Sequence, residues 1–188
     1  LSRMARPDLR CAVQRLCSVV SKWTVVHDAA LVRCFAYLHS TAHKYLHSSL
    51  APTDLEDVEI KLFTDADWNG DAEDTKSTNG LYVELSAPAS GRSWHLGWRS
   101  AKQTCTSSST AEAETISLSA GLRQEGLPLQ GMFDVWLGKC LTLRCMVDNT
   151  QAIRAVEQGY SKKLKFLQRT HRVSIGAIHE LVADSENK

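Results

Sequence analysis

The sequence contains no long apolar run and few aromatic residues. No stretch approaches the roughly 20 apolar residues that a membrane-spanning helix requires, and no basic segment followed by an apolar one stands at the start. Apolar residues nevertheless make up 43% of the 188 residues and charged residues 23%, a composition typical of a folded globular protein. The length predicts one domain, or one domain with a helical extension. Because the first residue is Leu1, we expect a segment of a longer protein.

Cysteine pairs at metal-binding spacing are also absent. The six cysteines are Cys11, Cys17, Cys34, Cys105, Cys140 and Cys145. Most have apolar neighbours in the sequence, so we expect buried free thiols in a reducing compartment, with neither disulfides nor a zinc site.

The distribution of charge predicts a domain boundary, although the net charge is only +1. Residues 1–50 contain seven Lys and Arg against two Asp and Glu, whereas residues 51–74 contain nine acids and the single base Lys61. This reversal indicates a helical connector over 1–50, a linker over 51–57 and the main domain over 58–188.

Two helices are predicted in the connector from apolar residues at helical spacing. The first begins near Pro7 and reaches Trp23. The second has Thr24 as its N-cap and ends before Ser48. The residues expected to face inward on the second helix are Val26, Ala30, Phe35 and Leu38.

The main domain is predicted to be of the α/β class. Short alternating segments predict strands over 58–65, 81–85 and 93–98, joined by short turns as an antiparallel meander. A helix follows over 107–123, and Gly126-Leu-Pro128 is expected to break it before a second helix over 129–137. An apolar segment over 141–148 predicts a buried strand, Asn149 begins the next helix, and one more helix is expected over 164–183. This order predicts a sheet with helices on its faces.

Three acids lie at the ends of these elements. Asp65 ends the first strand and Asp148 ends the fourth, so their side chains meet at one edge if the strands are adjacent and parallel. Glu114, early in the helix after the meander, supplies a third carboxylate. Adjacent carboxylates repel, and oxygen ligands of this kind suit Mg²⁺ or Mn²⁺. Capping or turn roles for all three remain an alternative on the pattern alone.

Two ions held about 4 Å apart can activate a water and stabilise the leaving oxygen in phosphodiester hydrolysis. Asp65 is expected to bridge both ions. Glu112 does not share a helix face with Glu114, and Ser109-Thr-Ala-Glu112 has the spacing of a capping box, which leaves Glu114 as the ligand. Three further acids are assigned to helper, loop or turn roles: Asp67, Asp71 and Asp74.

Several segments match the motifs of one known family. Phe63-Thr-Asp-Ala-Asp-Trp-Asn-Gly-Asp71 and Ser108-Ser-Thr-Ala-Glu-Ala-Glu114 resemble the motifs Y-x-D-A-D-W-A-G-D and S-S-T-E-A-E. These motifs belong to the ribonuclease H domain of copia-type LTR retrotransposon polyproteins. Residues 76–80, 98–103 and 147–153 resemble its R-S-T-S-G, W-x-S-K-K-Q and C-D-N-Q-S-A-I. Residues 5–9 and 37–41 resemble A-R-P-D-I and Y-L-K-G-T, which join reverse transcriptase to ribonuclease H.

The resemblance implies a ribonuclease H-like fold and cleavage of the RNA strand of RNA–DNA hybrids. By matched position, Asp65, Glu114 and Asp148 are the catalytic ligands of two Mg²⁺ or Mn²⁺ ions. It also implies a reverse transcriptase domain upstream in the same polyprotein, and a place in a cytoplasmic virus-like particle or the nucleus. No membrane partner is expected.

The chain departs from the family near its end. The family's R-T-K-H-I-D-I-R corresponds to Arg169-Thr-His-Arg-Val-Ser-Ile-Gly176, so Arg172 stands at the family's histidine and Ser174 at its aspartate. The last edge strand and the segment with a fourth carboxylate are expected beyond Lys188.

Other patterns leave alternatives open. His39, His43 and His47 recur at zinc-binding spacing on a helix, although the pattern favours a simple solvated helix face over a metal site. Trp68, Trp94 and Trp98 suit strand packing more than base stacking. A hybrid-binding surface is expected to use basic residues that contact the backbone. The basic residues assigned to it are Lys102, Lys162 and Lys163, with Arg123 and Lys165 as further candidates.

Two other functions compete with a ribonuclease H. Integrases and transposases of related fold have their glutamate as the last acid, whereas here it is the middle one. The other alternative is an inactive or co-opted retrotransposon remnant that keeps the fold, binds nucleic acid weakly or acts only as a scaffold.

Overall fold

The structure, a computed structural model, describes residues 5–70 and 75–183, so the predicted turn acids Asp71 and Asp74 lie outside the described residues. The helices are α1 (Arg10–Ser18), α2 (Val25–Ser40), α3 (Thr110–Gly121), α4 (Leu127–Leu137), α5 (Thr150–Glu157), α6 (Leu167–Thr170) and α7 (Ile175–Ala183). The strands are β1 (Glu59–Asp67), β2 (Thr78–Ala87), β3 (Arg92–Lys102) and β4 (Leu143–Met146). None of the helices among these residues is both long and apolar enough to cross a membrane.

The four strands form one mixed sheet in the order β3-β2-β1-β4. β1 pairs antiparallel with β2, and β2 pairs antiparallel with β3, whereas β4 pairs parallel with β1. The predicted α/β class, the meander and the adjacent parallel strand are therefore confirmed. In this register Asp65 lies opposite Gly80, which in turn lies opposite Ser100.

The main core lies between the sheet and α3. On β1, Ile60 and Leu62 are fully buried and belong to the core cluster, whereas Phe63 is half-buried and Asp65 is exposed. This alternation follows from the period of two in a strand, and it gives the sheet one closed face and one more open face. The open face is partly covered by α1.

The predicted break at Gly126-Leu-Pro128 is wrong. Residues Leu122–Gly126 form a π-helical segment that joins α3 to α4, and the N–H of Leu127 donates to the carbonyl of Leu122. The wider turn accommodates Pro128, which lacks an N–H, without ending the helix. The sequence predicted a break because proline usually ends a helix, and the pattern of apolar residues does not reveal a π-helical turn.

The predicted single helix over 164–183 is also wrong. α6 and α7 are separated by a turn in which Arg172 has a positive φ of 56°, a conformation that an α-helix does not allow. Val173 in this turn is buried, and the Ser174 hydroxyl accepts a hydrogen bond from the N–H of Ala177 at 3.2 Å, which caps α7.

In the connector, the inward-facing side of α2 is not the predicted one. Thr24 is the N-cap of α2, as predicted. Val26 and Phe35, however, are 72% and 63% exposed, because α2 packs mainly on α1. The partly buried residues of α2 are His27, Ala30, Cys34 and Leu38.

The prediction that the cysteines are buried is wrong for most of them. Among the described residues no disulfide joins any of the six cysteines, and four of the thiols are exposed. The segment predicted as a linker contains a 3₁₀ turn, Pro52–Glu56. Its Asp54 is buried and accepts two hydrogen bonds of 2.8 Å from Arg92, which ties the turn to β3.

Replacing Gly121 with alanine is expected to destabilise the protein by about 1–3 kcal/mol through overpacking. A Cβ at this position would lie 2.9 Å from Cγ2 of Thr64 and 3.1 Å from Cδ2 of Leu81. The matched control is Gly131→Ala in α4, where a Cβ meets no atom within 4 Å. The control is expected to stabilise by about 0.5–1 kcal/mol through helix propensity. Urea unfolding measures both, and a stabilised Gly121→Ala protein would contradict close helix–sheet packing.

Candidate metal centre

Asp65, Glu114 and Asp148 come together at one edge of the sheet. Each offers a carboxylate oxygen, and these three atoms lie within 4.8 Å of one another. Asp65 lies near the end of β1, and Asp148 follows the parallel strand β4 by two residues. The strand-end pattern thus predicted a real juxtaposition. We call these residues the carboxylate cluster.

Hydrogen bonds between α3 and β1 place the third carboxylate. The Glu114 Oε1 atom accepts a hydrogen bond from the N–H of Ala66 at 3.2 Å. One helical turn further on, the Ser117 hydroxyl donates to the carbonyl oxygen of Asp65 at 2.9 Å. These two bonds fix the register of the helix against the strand.

The Glu114 carboxyl is buried in a way that disfavours its charge. Glu114 is only 3% exposed, and its buried Oε2 atom has no hydrogen-bond partner among the residues that the structure describes. Burial, together with the nearby charges of Asp65 and Asp148, raises the pKa of Glu114 to about 7, against the opposing hydrogen bond from Ala66. A cation among the three carboxylates would satisfy Oε2 and offset this repulsion.

Glu112 has the capping role that its spacing predicted. The Ser109 hydroxyl accepts a hydrogen bond from the N–H of Glu112 at 3.2 Å, and Glu112 Oε2 accepts one from the N–H of Ser108 at 2.9 Å. Its other oxygen lies 3.5 Å from Nδ1 of His171. Glu112 is therefore held away from the carboxylate cluster.

Asp67 stabilises the turn beside the cluster and is not a member of it. Its Oδ1 atom accepts a hydrogen bond of 2.6 Å from the N–H of Thr78. Its Oδ2 atom lies 3.5 Å from a guanidinium nitrogen of Arg15 on α1. Asp67 thus joins β1, β2 and the connector.

Gln103 is a positioning residue that the motif analysis missed. Its amide nitrogen donates to Asn79 Oδ1 at 2.6 Å and to the carbonyl of Ala113 at 3.0 Å, and its Oε1 accepts from the Ser107 hydroxyl at 2.7 Å. Gln103 is 4% exposed. This network joins the end of β3 to the first turns of α3, which carry Glu114. The only sequence signal was its place at the end of residues 98–103.

A cleft of about 640 Å³ opens beside the carboxylate cluster on the face of the sheet that α1 partly covers. Asp65 and Asp148 line it together with Phe63, Tyr82 and Trp98. The rings of Phe63 and Tyr82 are 5.7 Å apart, so the aromatic residues pack across the strands. Trp68 and Trp94 are about half exposed, and the Trp68 indole donates to the carbonyl of Ser107.

The predicted basic residues are brought together only in part. Lys102 and Arg123 line one cleft along β3, Lys163 lines a different one near α5, and Lys162 and Lys165 are exposed. Among the residues the structure describes, His39, His43 and His47 form no cluster of three ligands.

The fold and the cluster define an α/β protein with a candidate metal centre. The chain is 33% identical over 121 residues to the secreted RxLR effector protein 161 of Plasmopara viticola. These 121 residues are 64% of this chain and 78% of that protein. The chain therefore belongs to the same family as that protein. No family model matches the sequence, and no solved structure matches the chain.

The chain is also homologous to part of two retrotransposon polyproteins. It is 34% identical over 113 residues to the retrovirus-related Pol polyproteins from transposons RE1 and RE2 of Arabidopsis thaliana. These 113 residues are 60% of this chain but only 7% of each polyprotein. The chain is thus related to a region of retrotransposon Pol.

Replacing Glu114 with glutamine is expected to stabilise the metal-free protein at pH 8 by about 1–3 kcal/mol and to have little effect at pH 5. Because folding raises the pKa of Glu114 from 4.5 to about 7, the folded state binds more protons in this window and loses stability as the pH rises through it. Glutamine does not titrate, so the loss disappears. Thermal unfolding in EDTA across this pH range measures the effect.

Metal provides the control for this prediction. Mn²⁺ is expected to raise the melting temperature of the unsubstituted protein more than that of Glu114→Gln, because the ligand has lost its charge. If Glu114→Gln is less stable than the parent protein at pH 8 in EDTA, the result would contradict the prediction that the ionised Glu114 carboxylate destabilises the metal-free fold.

Proposed function

We propose that this chain is a ribonuclease H-type domain that hydrolyses the RNA strand of RNA–DNA hybrids with the help of divalent cations. The observation that carries the proposal is the carboxylate cluster, formed by three acids from three different elements. Homology to a region of retrotransposon Pol supports it, as does the mixed sheet with one parallel strand beside the meander, which is compatible with a ribonuclease H-like fold. In this proposal, reverse transcriptase is the neighbouring partner in the polyprotein.

The carboxylate cluster fits Mg²⁺ or Mn²⁺. All three donors are carboxylate oxygens, the ligand type that these hard cations prefer. The Oε2 atom of Glu114 has no hydrogen-bond partner among the described residues, so its lone pairs are available to a cation. When bound, two such ions would supply charge neutralisation of the phosphate and activation of a water.

The residues of the chain have separate tasks in this reaction. Asp65, near the end of β1, would hold the cations together with Glu114 and Asp148. Glu114 must lose its proton to bind a cation, so cation affinity is expected to fall as the pH drops below about 7. Ser117 and Gln103 hold α3 in position through their hydrogen bonds to Asp65 and Ala113.

The cleavage assay uses a labelled RNA–DNA hybrid with Mg²⁺ or Mn²⁺. The unsubstituted protein is expected to cut only the RNA strand, and Glu114→Gln and Asp148→Asn to reduce the rate by about 100-fold or more, because each removes a charged metal ligand. Glu112→Gln is the matched control, since glutamine can keep the hydrogen bond to Ser108 and is expected to retain the activity.

Two results would contradict the proposal. Equal cleavage by the parent protein and Glu114→Gln would exclude the carboxylate cluster as the active site. A folded parent protein that binds Mn²⁺ but leaves the hybrid intact would indicate a domain that keeps the site without the hydrolysis.

A further inference from the structure

A second cleft, of about 400 Å³, runs along the edge strand β3 and is lined by basic residues. Four cationic side chains line it: Arg99, Lys102, Arg123 and Arg172. None of the described residues lining it is an aspartate or a glutamate. Because the net charge of the whole chain is only +1, this is a local concentration of positive charge. We call it the basic cleft.

The basic cleft is assembled from three segments that are distant in the sequence. Arg99 and Lys102 belong to β3, Arg123 to the π-helical segment after α3, and Arg172 to the turn between α6 and α7. The positive φ of Arg172 and the burial of Val173 fix that turn. The turn that separates α6 from α7 therefore places Arg172 at the cleft.

The walls of the basic cleft are ordered by hydrogen bonds. The Arg99 guanidinium donates to Gln124 Oε1 at 2.5 Å, and Gln103 and Asn79 are joined by the 2.6 Å bond of the network described above. A ligand in the cleft would therefore meet preformed walls, which lowers the entropic cost of binding.

His171, in the wall of the basic cleft, has an unused polar atom. Its side chain is only 4% exposed, and its Nε2 atom is buried without a hydrogen-bond partner. Its Nδ1 atom is 2.7 Å from the Thr170 hydroxyl. A nitrogen that is buried with no hydrogen-bond partner among the described residues disfavours folding, and an adjacent anion or a water that it orders would offset this cost.

The basic cleft lies about 10–14 Å from the carboxylate cluster, as the strand register and the helix geometry show. Lys102 pairs with Thr78, which pairs with Asp67, so it lies two strands, or about 10 Å, from the end of β1. Arg123 follows Glu114 by nine residues on the continuous helix, about 14 Å along its axis. With a rise of about 3.4 Å per nucleotide along one strand of a duplex, these distances correspond to about three to four nucleotides.

We propose that the basic cleft binds the sugar–phosphate backbone of a nucleic acid about three to four nucleotides from the bond at the carboxylate cluster. This inference rests on the proposed function, because it takes the substrate to be a nucleic acid. Several separated cations suit a polyanion better than a single small anion, which would satisfy only some of them. Contacts of this kind position the substrate and read no sequence.

The test measures binding of a fluorescent 20-base-pair RNA–DNA hybrid in EDTA, between 50 and 200 mM KCl. Arg123→Gln and Arg172→Gln are each expected to weaken binding about 3- to 10-fold at 100 mM salt. Each is also expected to reduce the slope of log affinity against log salt by about 0.9, the value for one lost phosphate contact. Hybrids of unrelated sequence should respond equally.

The matched control is Lys44→Gln, which removes the same charge from an exposed residue. Lys44 precedes the segment whose Ser49 N–H donates to the carbonyl of Ser93, at the other end of β3 from Lys102. An equal loss for Lys44→Gln, or an unchanged slope for both arginine variants, would overturn the proposal. Displacement of the hybrid by inorganic phosphate at matched ionic strength would do so too, because it would indicate a site for a small anion.

This experiment separates the two proposals. EDTA prevents metal-dependent cleavage, so binding through the basic cleft is measured whether or not the carboxylate cluster hydrolyses RNA. Loss of affinity in the arginine variants without any cleavage by the parent protein would uphold the basic cleft and contradict the ribonuclease. Cleavage by the parent protein together with unchanged affinity in the arginine variants would uphold the ribonuclease and contradict the basic cleft.

Discussion

The close contact between α3 and β1 is the constraint on which both the fold and the carboxylate cluster depend. Gly121 and Gly126 allow the helix to approach the side chains of the sheet so closely that an added Cβ would lie about 3 Å from the nearest atom. At the other end of the same contact, Ala66 and Ser117 make the hydrogen bonds that hold Glu114 over the end of β1. The packing that buries the core thus also sets the distance between carboxylates from different elements.

That contact has an energetic consequence at the site. Glu114 is brought beside two acids and away from water, so its ionised form opposes folding in the absence of a cation. The protein tolerates this because the surrounding bonds among α3, β1 and β3 are themselves well satisfied, as the Gln103 network shows. A cation would convert the same arrangement from a repulsive one into a binding site, and metal affinity would then be coupled to stability.

The sequence predicted the parts that depend on local pattern. Asp65 and Asp148 were predicted because each ends an apolar strand, and the capping spacing of Ser109 and Glu112 left Glu114 as the third ligand. The continuous helix through Pro128 and the turn at Arg172 were not predicted, because both follow from packing between distant segments. The exposure of Phe35 was missed for the same reason: periodicity shows that a helix has an apolar side but not which neighbour covers it.

Negative charge is concentrated at the carboxylate cluster and positive charge at the basic cleft, although the net charge of the chain is only +1. A nucleic acid approaching the carboxylate cluster without a cation meets repulsion from its acids, so attraction must come from elsewhere on the surface. The basic cleft lies near the middle of the same continuous helix, where Arg123 follows Glu114 by nine residues. It also runs along β3, whose Lys102 is in register with Asp67 through Thr78. Because α3 is closely packed on the sheet, the fold itself fixes the distance between the basic cleft and the carboxylate cluster. In the proposed function, a hybrid held at the basic cleft would therefore present a defined phosphate to the carboxylates, and cation binding would then remove the remaining repulsion.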